Sequence, residues 1–257
     1  MDEKVKEEGE SFFIKDVSSP FTDNKVYSIG DKIYKYCSND TCYVTELVAY
    51  NNIPQKFIAK LIYQNFNQKL LVLENVQKDI EIVLDKDFFI LLKEFHDSTL
   101  AFDFCYDFEN NNYYSSWKNF IDYKIKIWNS TDFQFSSKNK ILFYLQKNEV
   151  NEYFDKYCFL HRDIRSDNIG VRLRKLIFFD FELLMIGPPI WDLARIFFDS
   201  NFSNEIEKIL EEVYSVRKND LYYYTVLYGV NTLYYYFEKG LDNSKIMENL
   251  HEIERML

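Results

Sequence analysis

One segment, from Cys158 to Asp199, carries its polar residues in an order that few folds can satisfy. His161-Arg162-Asp163 is followed by Asn168, five residues after the aspartate, and then by Phe179-Asp180-Phe181. Between them, Val171, Leu173, Leu176, Ile177 and Phe178 predict two short strands around Arg174-Lys175, a hairpin that returns Asp180 beside the loop holding Asp163 and Asn168. A carboxylate, an amide and a second carboxylate then face one point. Phosphoryl transfer needs that set: one carboxylate to orient the proton of an attacking hydroxyl, an amide and another carboxylate to hold Mg²⁺ against phosphates. Magnesium takes few carboxylates, with waters and phosphate oxygens completing its shell, so one Asp and one Asn suit it.

Composition narrows the partners. The 257 residues are enough for one large domain or two lobes. Asp plus Glu number 41 against 31 Lys plus Arg, a formal charge of −10 that argues against nucleic acid as a partner and weakly favours small cations. Six Gly and four Pro leave little room for glycine-rich loops or β-repeats. Cys37, Cys42, Cys105 and Cys158 form no CxxC pair, and His96, His161 and His251 are far apart in sequence, so free thiols are expected rather than zinc ligands or disulfides. The start, MDEKVKEEGE, has no apolar secretory core, and no window is apolar enough for a membrane span. A cytoplasmic protein with no membrane partner is the expectation; the sequence leaves the oligomeric state open.

The first third reads as β-rich. Ser11–Val17, Lys25–Ile29 and Lys32–Cys37 predict three antiparallel strands, with Gly30-Asp31 as a hairpin turn. Ser38-Asn39-Asp40 predicts an N-cap for a helix to about Tyr50, with Val44, Leu47 and Val48 on its apolar face. Phe57–Tyr63 and Leu70–Val76 predict two further strands. After that the pattern is helical: a stripe over Asp85–His96, an exposed loop over Asp107–Tyr114, and a long helix over Lys138–Phe159. Helices follow from Trp191 onward, broken near Ser200–Ser203 and Gly240–Ser244. The lobe boundary is expected at residues 76–80, giving lobes 1–76 and 77–257.

The Cys158–Asp199 segment resembles the catalytic core of the aminoglycoside phosphotransferase and choline kinase family, the small-molecule branch of the protein-kinase-like fold. The residues that carry the resemblance are His161, Asp163, Asn168, Asp180, Glu182, Pro188-Pro189 and Asp192-Leu193-Ala194. It implies an α+β, two-lobed fold with a small antiparallel-sheet N-lobe bearing one helix and a larger, mainly helical C-lobe. It implies Asp163 as catalytic base, Asn168 and Asp180 as Mg²⁺ ligands, and His161 and Asp192 as supports of the catalytic loop. Arg162 stands where glycine is common in the family. Only eleven residues separate Asp180 from Asp192 and no APE follows, which leaves no platform for a peptide, so the acceptor should be small.

In the first lobe the resemblance implies a nucleotide site for ATP or GTP. Lys35 stands where the phosphate-pairing lysine is expected and Glu46 where its ion-pair partner is, with Lys32 as the fallback. Ser18 and Ser19 fall in the stretch that replaces a glycine-rich loop, and Glu74 and Val76 in the hinge that meets adenine through backbone groups. For the acceptor, Glu182, Trp191, Tyr228 and Tyr235 are the candidates, since aromatic residues can cage an ammonium group by cation–π attraction. Aromatic residues at helical spacing also pack cores, and for most of them core packing is the expectation. His96 is read as structural or exposed. The sequence therefore predicts an ATP- or GTP-dependent small-molecule kinase acting on an aminoglycoside-type or choline/ethanolamine-type acceptor. A non-catalytic nucleotide-binding regulator and an atypical protein kinase are the alternatives.

Overall fold

In the computed structural model, residues 3–7, 10–18, 23–76, 83–132, 134, 138–148, 156–172, 175–240, 244, 248, 251, 254 and 255 are described. Four strands come first: β1 (Glu3–Glu7), β2 (Glu10–Asp16), β3 (Lys25–Ile29) and β4 (Lys32–Tyr36). They are followed by α1 (Asp40–Asn52), β5 (Leu61–Asn65), β6 (Leu70–Glu74) and α2 (Lys86–Ser98). The middle holds β7 (Cys105–Asp107), β8 (Asn112–Tyr114), α3 (Trp117–Ser130), α4 (Lys138–Lys147) and β9 (Cys158–Leu160). A 3₁₀ turn (Ser166–Asn168), β10 (Ile169–Arg172), β11 (Lys175–Phe178) and β12 (Met185–Gly187) lead into α5 (Ile190–Asp199), α6 (Asn204–Tyr214) and α7 (Lys218–Glu238). No helix among the described residues is long and apolar enough to cross a membrane.

The chain divides into two compact units that interleave in sequence. The first comprises Met1–Ile82, Phe108–Asn111 and Arg165–Leu184, and the second Val83–Asp107, Asn112–Ile164 and Met185–Leu257. Residues 165–184, which the sequence reading groups with the C-terminal lobe, cluster with the N-terminal unit; residues 77–80 of the expected boundary lie outside the described residues.

The first unit is built on an antiparallel sheet in the order β1-β2-β3-β4-β6-β5. The β3–β4 hairpin forms where Gly30 supplies the left-handed turn, at φ 59°. Asn39 caps α1 by accepting from the Cys42 amide at 2.8 Å. The expected apolar face of that helix is not the buried one. Val44 is exposed and Leu47 and Val48 are half-buried, while Tyr43, Glu46, Ala49 and Tyr50 turn inward. Glu46, turned inward on that face, is paired with Lys35. The fifth strand is also displaced from its predicted span. Phe57, Ile58 and Ala59 are buried, but Ile58 makes an isolated parallel bridge to Phe178, and the ladder begins at Leu61. The charged first residues contribute β1, a strand that the sequence reading does not contain.

The second unit carries the order β8-β7-β12-β9 in a small sheet, with α2 to α7 around it. Its core is aromatic: Phe89, Phe95, Trp117, Phe120, Trp191 and Phe197 are each 0–2 % exposed. Two expectations fail here. The Asp107–Tyr114 stretch is not a loop but two strands in register, Cys105 opposite Tyr114 and Asp107 opposite Asn112. The single helix over 138–159 ends at Lys147, residues 149–155 lie outside the described residues, and Cys158–Leu160 is a strand whose three side chains are all buried. An apolar run of that length fits a core strand as well as a helix, and pairing with β12 selects the strand. The break at Ser200–Ser203 is present between α5 and α6. A further break, at Ser215–Arg217, is not marked in the sequence reading; Ser215 forms a left-handed cap there. Of the Gly240–Ser244 break, residues 241–243 lie outside the described residues.

Candidate active site

In the first unit, β4 presents Lys35 to the interior, 5 % exposed. Strand alternation puts Lys32 on the other face, so Lys35 and not Lys32 is the lysine turned to the interior. Its Nζ donates to Glu46 Oε1 at 2.6 Å and to Asp180 Oδ1 at 2.5 Å. Burial alone would lower the lysine, but the charges of Asp180 and Glu46 outweigh it and hold the ammonium well above its ordinary pKa. Burial pushes Glu46 up to about 7, against the pull of Lys35. Its second oxygen, Oε2, is buried without a hydrogen bond, as is the hydroxyl of Tyr50 one turn further along α1.

The β10–β11 hairpin brings the other groups together. Its register sets Ile169 opposite Phe178, and the Phe179 amide donates to the Asn168 carbonyl at 3.1 Å. Asn168 and Asp180 therefore stand at the mouth of one hairpin, as the spacing predicts. Asn168 is 3 % exposed, and Asp180 adopts φ 69°, a left-handed conformation that aspartate tolerates better than most residues. One amide oxygen and one carboxylate make an all-oxygen donor pair, which fits Mg²⁺ and leaves most of the shell to water and phosphate.

The remaining candidates of this unit are placed as follows. Ser18 ties the end of β2 to β3: its hydroxyl donates to Asp16 Oδ1 at 2.6 Å and accepts from the Val26 amide at 2.8 Å. Ser19 lies outside the described residues. Glu74 accepts from Arg172 Nη1 at 2.7 Å, and Val76 is buried. Glu182 accepts from Asn24 Nδ2 at 2.6 Å, while Asn24 Oδ1 accepts from the Ser38 amide at 2.8 Å. Sequence reasoning missed Asn24, a single buried amide in a polar loop with no pattern to mark it.

The second unit holds the Asp163 loop. Asp192, on the first turn of α5, accepts from the His161 amide at 2.9 Å and the Arg162 amide at 2.8 Å. The His96 ring, Nε2 3.1 Å from Asp192 Oδ2, completes the set, and its Nδ1 is 3.0 Å from the Tyr214 hydroxyl. Burial would raise the Asp192 carboxyl, but the bond from His96, the charges of His96 and His161 and the Arg162 amide together hold it below the usual carboxylate range. His96 is thus a fully buried partner of the loop's brace. Arg162 sits at φ 64°, which explains why glycine suits this position, and its guanidinium lies 3.7 Å from the buried Asp107. Asp163 Oδ1 is 2.9 Å from Arg195 Nη2, a partner that the motif did not reveal.

The aromatic candidates separate by burial. Trp191 is 2 % exposed and packs against Trp117, Phe120 and Tyr228, as core. Tyr228 is also buried, which pushes its phenol up to about 12, and its ring faces the Arg195 guanidinium. Tyr235 is 41 % exposed on α7.

Residues 146–222 match the family model of the "Phosphotransferase enzyme family". No curated protein matches the sequence. Among solved structures, a thermostable mutant of the aminoglycoside phosphotransferase APH(4)-Ia is similar at TM-score 0.67 and 17 % identity, over 96 % of this chain and 94 % of that one. Another mutant of that enzyme is known as a ternary complex with AMP-PNP and hygromycin B. A putative fructosamine-3-kinase from Haemophilus somnus 129PT is similar at TM-score 0.63 and 17 % identity, over 96 % and 92 % of the chains. A choline/ethanolamine kinase family protein from Mesorhizobium loti is similar at 0.64 and 11 %, over 95 % and 87 %. The chain has the fold of these small-molecule kinases, and its segment 146–222, which holds Asp163, Asn168, Asp180 and Asp192, is the part that matches the phosphotransferase family.

Proposed function

We propose that this protein transfers the γ-phosphate of ATP or GTP to a hydroxyl of a small, cationic acceptor of the aminoglycoside or choline/ethanolamine type. The observation that carries the reading is the buried Lys35, bonded at once to Glu46 and to Asp180. Glu46 alone would neutralise the buried ammonium, and the second carboxylate, that of the partly exposed Asp180, is a group that a metal ion can reach.

Lys35 aligns the α and β phosphates, and Glu46 holds Lys35 in place. Residues 1–76 supply the nucleotide site, with the loop that includes Ser18 and Ser19 near the phosphates and the backbone of Glu74 and Val76 receiving the base. Asn168 and Asp180 would hold Mg²⁺, which would supply charge neutralisation on the phosphates. Asp163 accepts a hydrogen bond from the acceptor hydroxyl and takes its proton as the oxygen attacks; His161 and Asp192 fix the loop that carries it. Glu182, fixed by Asn24, and the exposed Tyr235 are the remaining candidates for contact with the acceptor. Net charge of −10 favours a cationic acceptor over an anionic one.

The test is release of ADP or GDP, coupled to a spectrophotometric assay, across choline, ethanolamine, aminoglycosides and sugars. Turnover with at least one amine-bearing acceptor is expected, and Asp163→Asn should reduce it by at least about 10²-fold. No turnover with any acceptor, alongside retained nucleotide binding, would instead favour a regulator built on the same fold.

A further inference from the structure

Arg195 lies three residues after Asp192 on α5, one turn along the same face. Its side chain reaches three parts of the catalytic loop's surroundings. Nη2 is 2.9 Å from Asp163 Oδ1, Nη1 donates to the Arg162 carbonyl at 3.1 Å, and Nε lies 3.3 Å from Asp199 Oδ2. The flat guanidinium is 5.9 Å from the centre of the Tyr228 ring, and the side chain is only 16 % exposed. A cation bonded to the Arg162 carbonyl, paired with Asp163 at 2.9 Å and more loosely with Asp199, and set against an aromatic face has little freedom to move.

The geometry also concerns the backbone. Arg162 is left-handed, a conformation that a non-glycine residue keeps only where its surroundings hold it. Asp192 takes the amide of that residue and Arg195 takes its carbonyl, so one helix face grips the strained residue at both ends. Asp163 follows immediately. Its carboxylate direction therefore depends on Arg195 twice, through the direct ion pair and through the peptide before it.

We propose that Arg195 is a positioning residue that orients the Asp163 carboxylate toward the acceptor hydroxyl. This rests on the phosphotransferase reading above. Lysine cannot replace it fully, because a single ammonium cannot span Asp163 and the Arg162 carbonyl in the way a planar fork does.

Arg195→Ala should lower kcat by about 10²-fold, the loss typical of a misplaced reacting group, while KM for the nucleotide stays within about twofold. Added guanidinium should restore part of that rate in Arg195→Ala and none in Asp163→Asn, a rescue that a merely structural role would not produce. If Arg195→Ala does not fold, Arg195→Lys carries the test, with a reduced kcat and an unchanged nucleotide KM expected. An active wild type with unimpaired turnover in the tested variant overturns this inference alone, as does a folded Arg195→Ala that guanidinium leaves unrescued. A wild type inactive on every acceptor overturns the phosphotransferase reading and this inference with it.

Discussion

At Lys35, one buried ammonium serves two carboxylates, and the cluster carries one negative charge more than it can neutralise. The less exposed carboxylate, Glu46, is the one whose proton affinity rises. Its folded pKa of about 7 stands above the ordinary 4.5, so the folded chain retains a proton that the unfolded chain releases between those values. The stability this contributes is fully present below about 4.5 and is lost as pH rises through about 7. Urea denaturation of wild type and Glu46→Gln over this range should show the difference between them falling by about 1 kcal/mol or more and levelling above it, since one pKa unit corresponds to about 1.4 kcal/mol. A difference independent of pH would mean that Lys35 keeps Glu46 ionised throughout. Lys35 and Glu46 were legible because a strand and a capped helix place them at defined offsets. Asn24 and Arg195 were not, because each acquires its partner through contacts that no local spacing encodes: Asn24 meets Glu182 158 positions away, and Arg195 meets a residue on a separate loop.

Elements were legible where turn and cap chemistry marked their ends. The β3–β4 hairpin follows from Gly30 and α1 from Asn39, while α2 follows from its apolar stripe; its cap, Asp85 accepting from the Phe88 amide, is seen only in the structure. Elements defined by partners were missed: β1 gains its identity from β2, and β9 from β12. The β12 strand is tightly packed at Gly187. A Cβ built on Gly187 would lie 2.7 Å from a Trp117 ring carbon and 2.8 Å from Leu160 Cδ1. The indole is 1 % exposed in the aromatic core, so it cannot swing aside cheaply. Gly187→Ala should therefore destabilise the protein by about 1–3 kcal/mol, the usual cost of overpacking, measured as a lower midpoint in chemical denaturation. Equal midpoints would show that Leu160 and Trp117 shift without loss. The sequence motif pointed to Pro188-Pro189 beside it but gave no reason to single out this glycine, whose constraint comes from Trp117 on α3 and Leu160 on β9.

Across the molecule, the candidate functional residues sort by unit rather than by chain order. Lys35, Glu46, Asn168, Asp180 and Glu182 all belong to the first unit, although Lys35 and Asp180 are 145 positions apart. His161, Asp163, Asp192 and Arg195 all belong to the second. The sequence alone could not draw that line, because residues 165–184 follow the Asp163 loop directly yet cluster with the N-terminal sheet, held by the Phe57–Phe178 backbone bond and the Arg172–Glu74 pair. On the proposed reading, the groups that hold nucleotide and metal are one physical unit and the group that handles the acceptor proton is in the other. Ligand binding and turnover should then separate under mutation. Mg²⁺ with ATP or GTP at a hundredfold excess over Kd should stabilise wild type by about 2.7 kcal/mol, seen as a raised Tm. Asp163→Ala should keep that rise while losing turnover. Asp180→Ala should lose most of it, as should wild type treated with a magnesium chelator, because the nucleotide then lacks the cation that offsets its charge beside Glu46 and Glu182. Equal rises for wild type and Asp180→Ala would remove the metal role assigned to Asp180, and a rise lost in Asp163→Ala would show that nucleotide binding depends on both units at once.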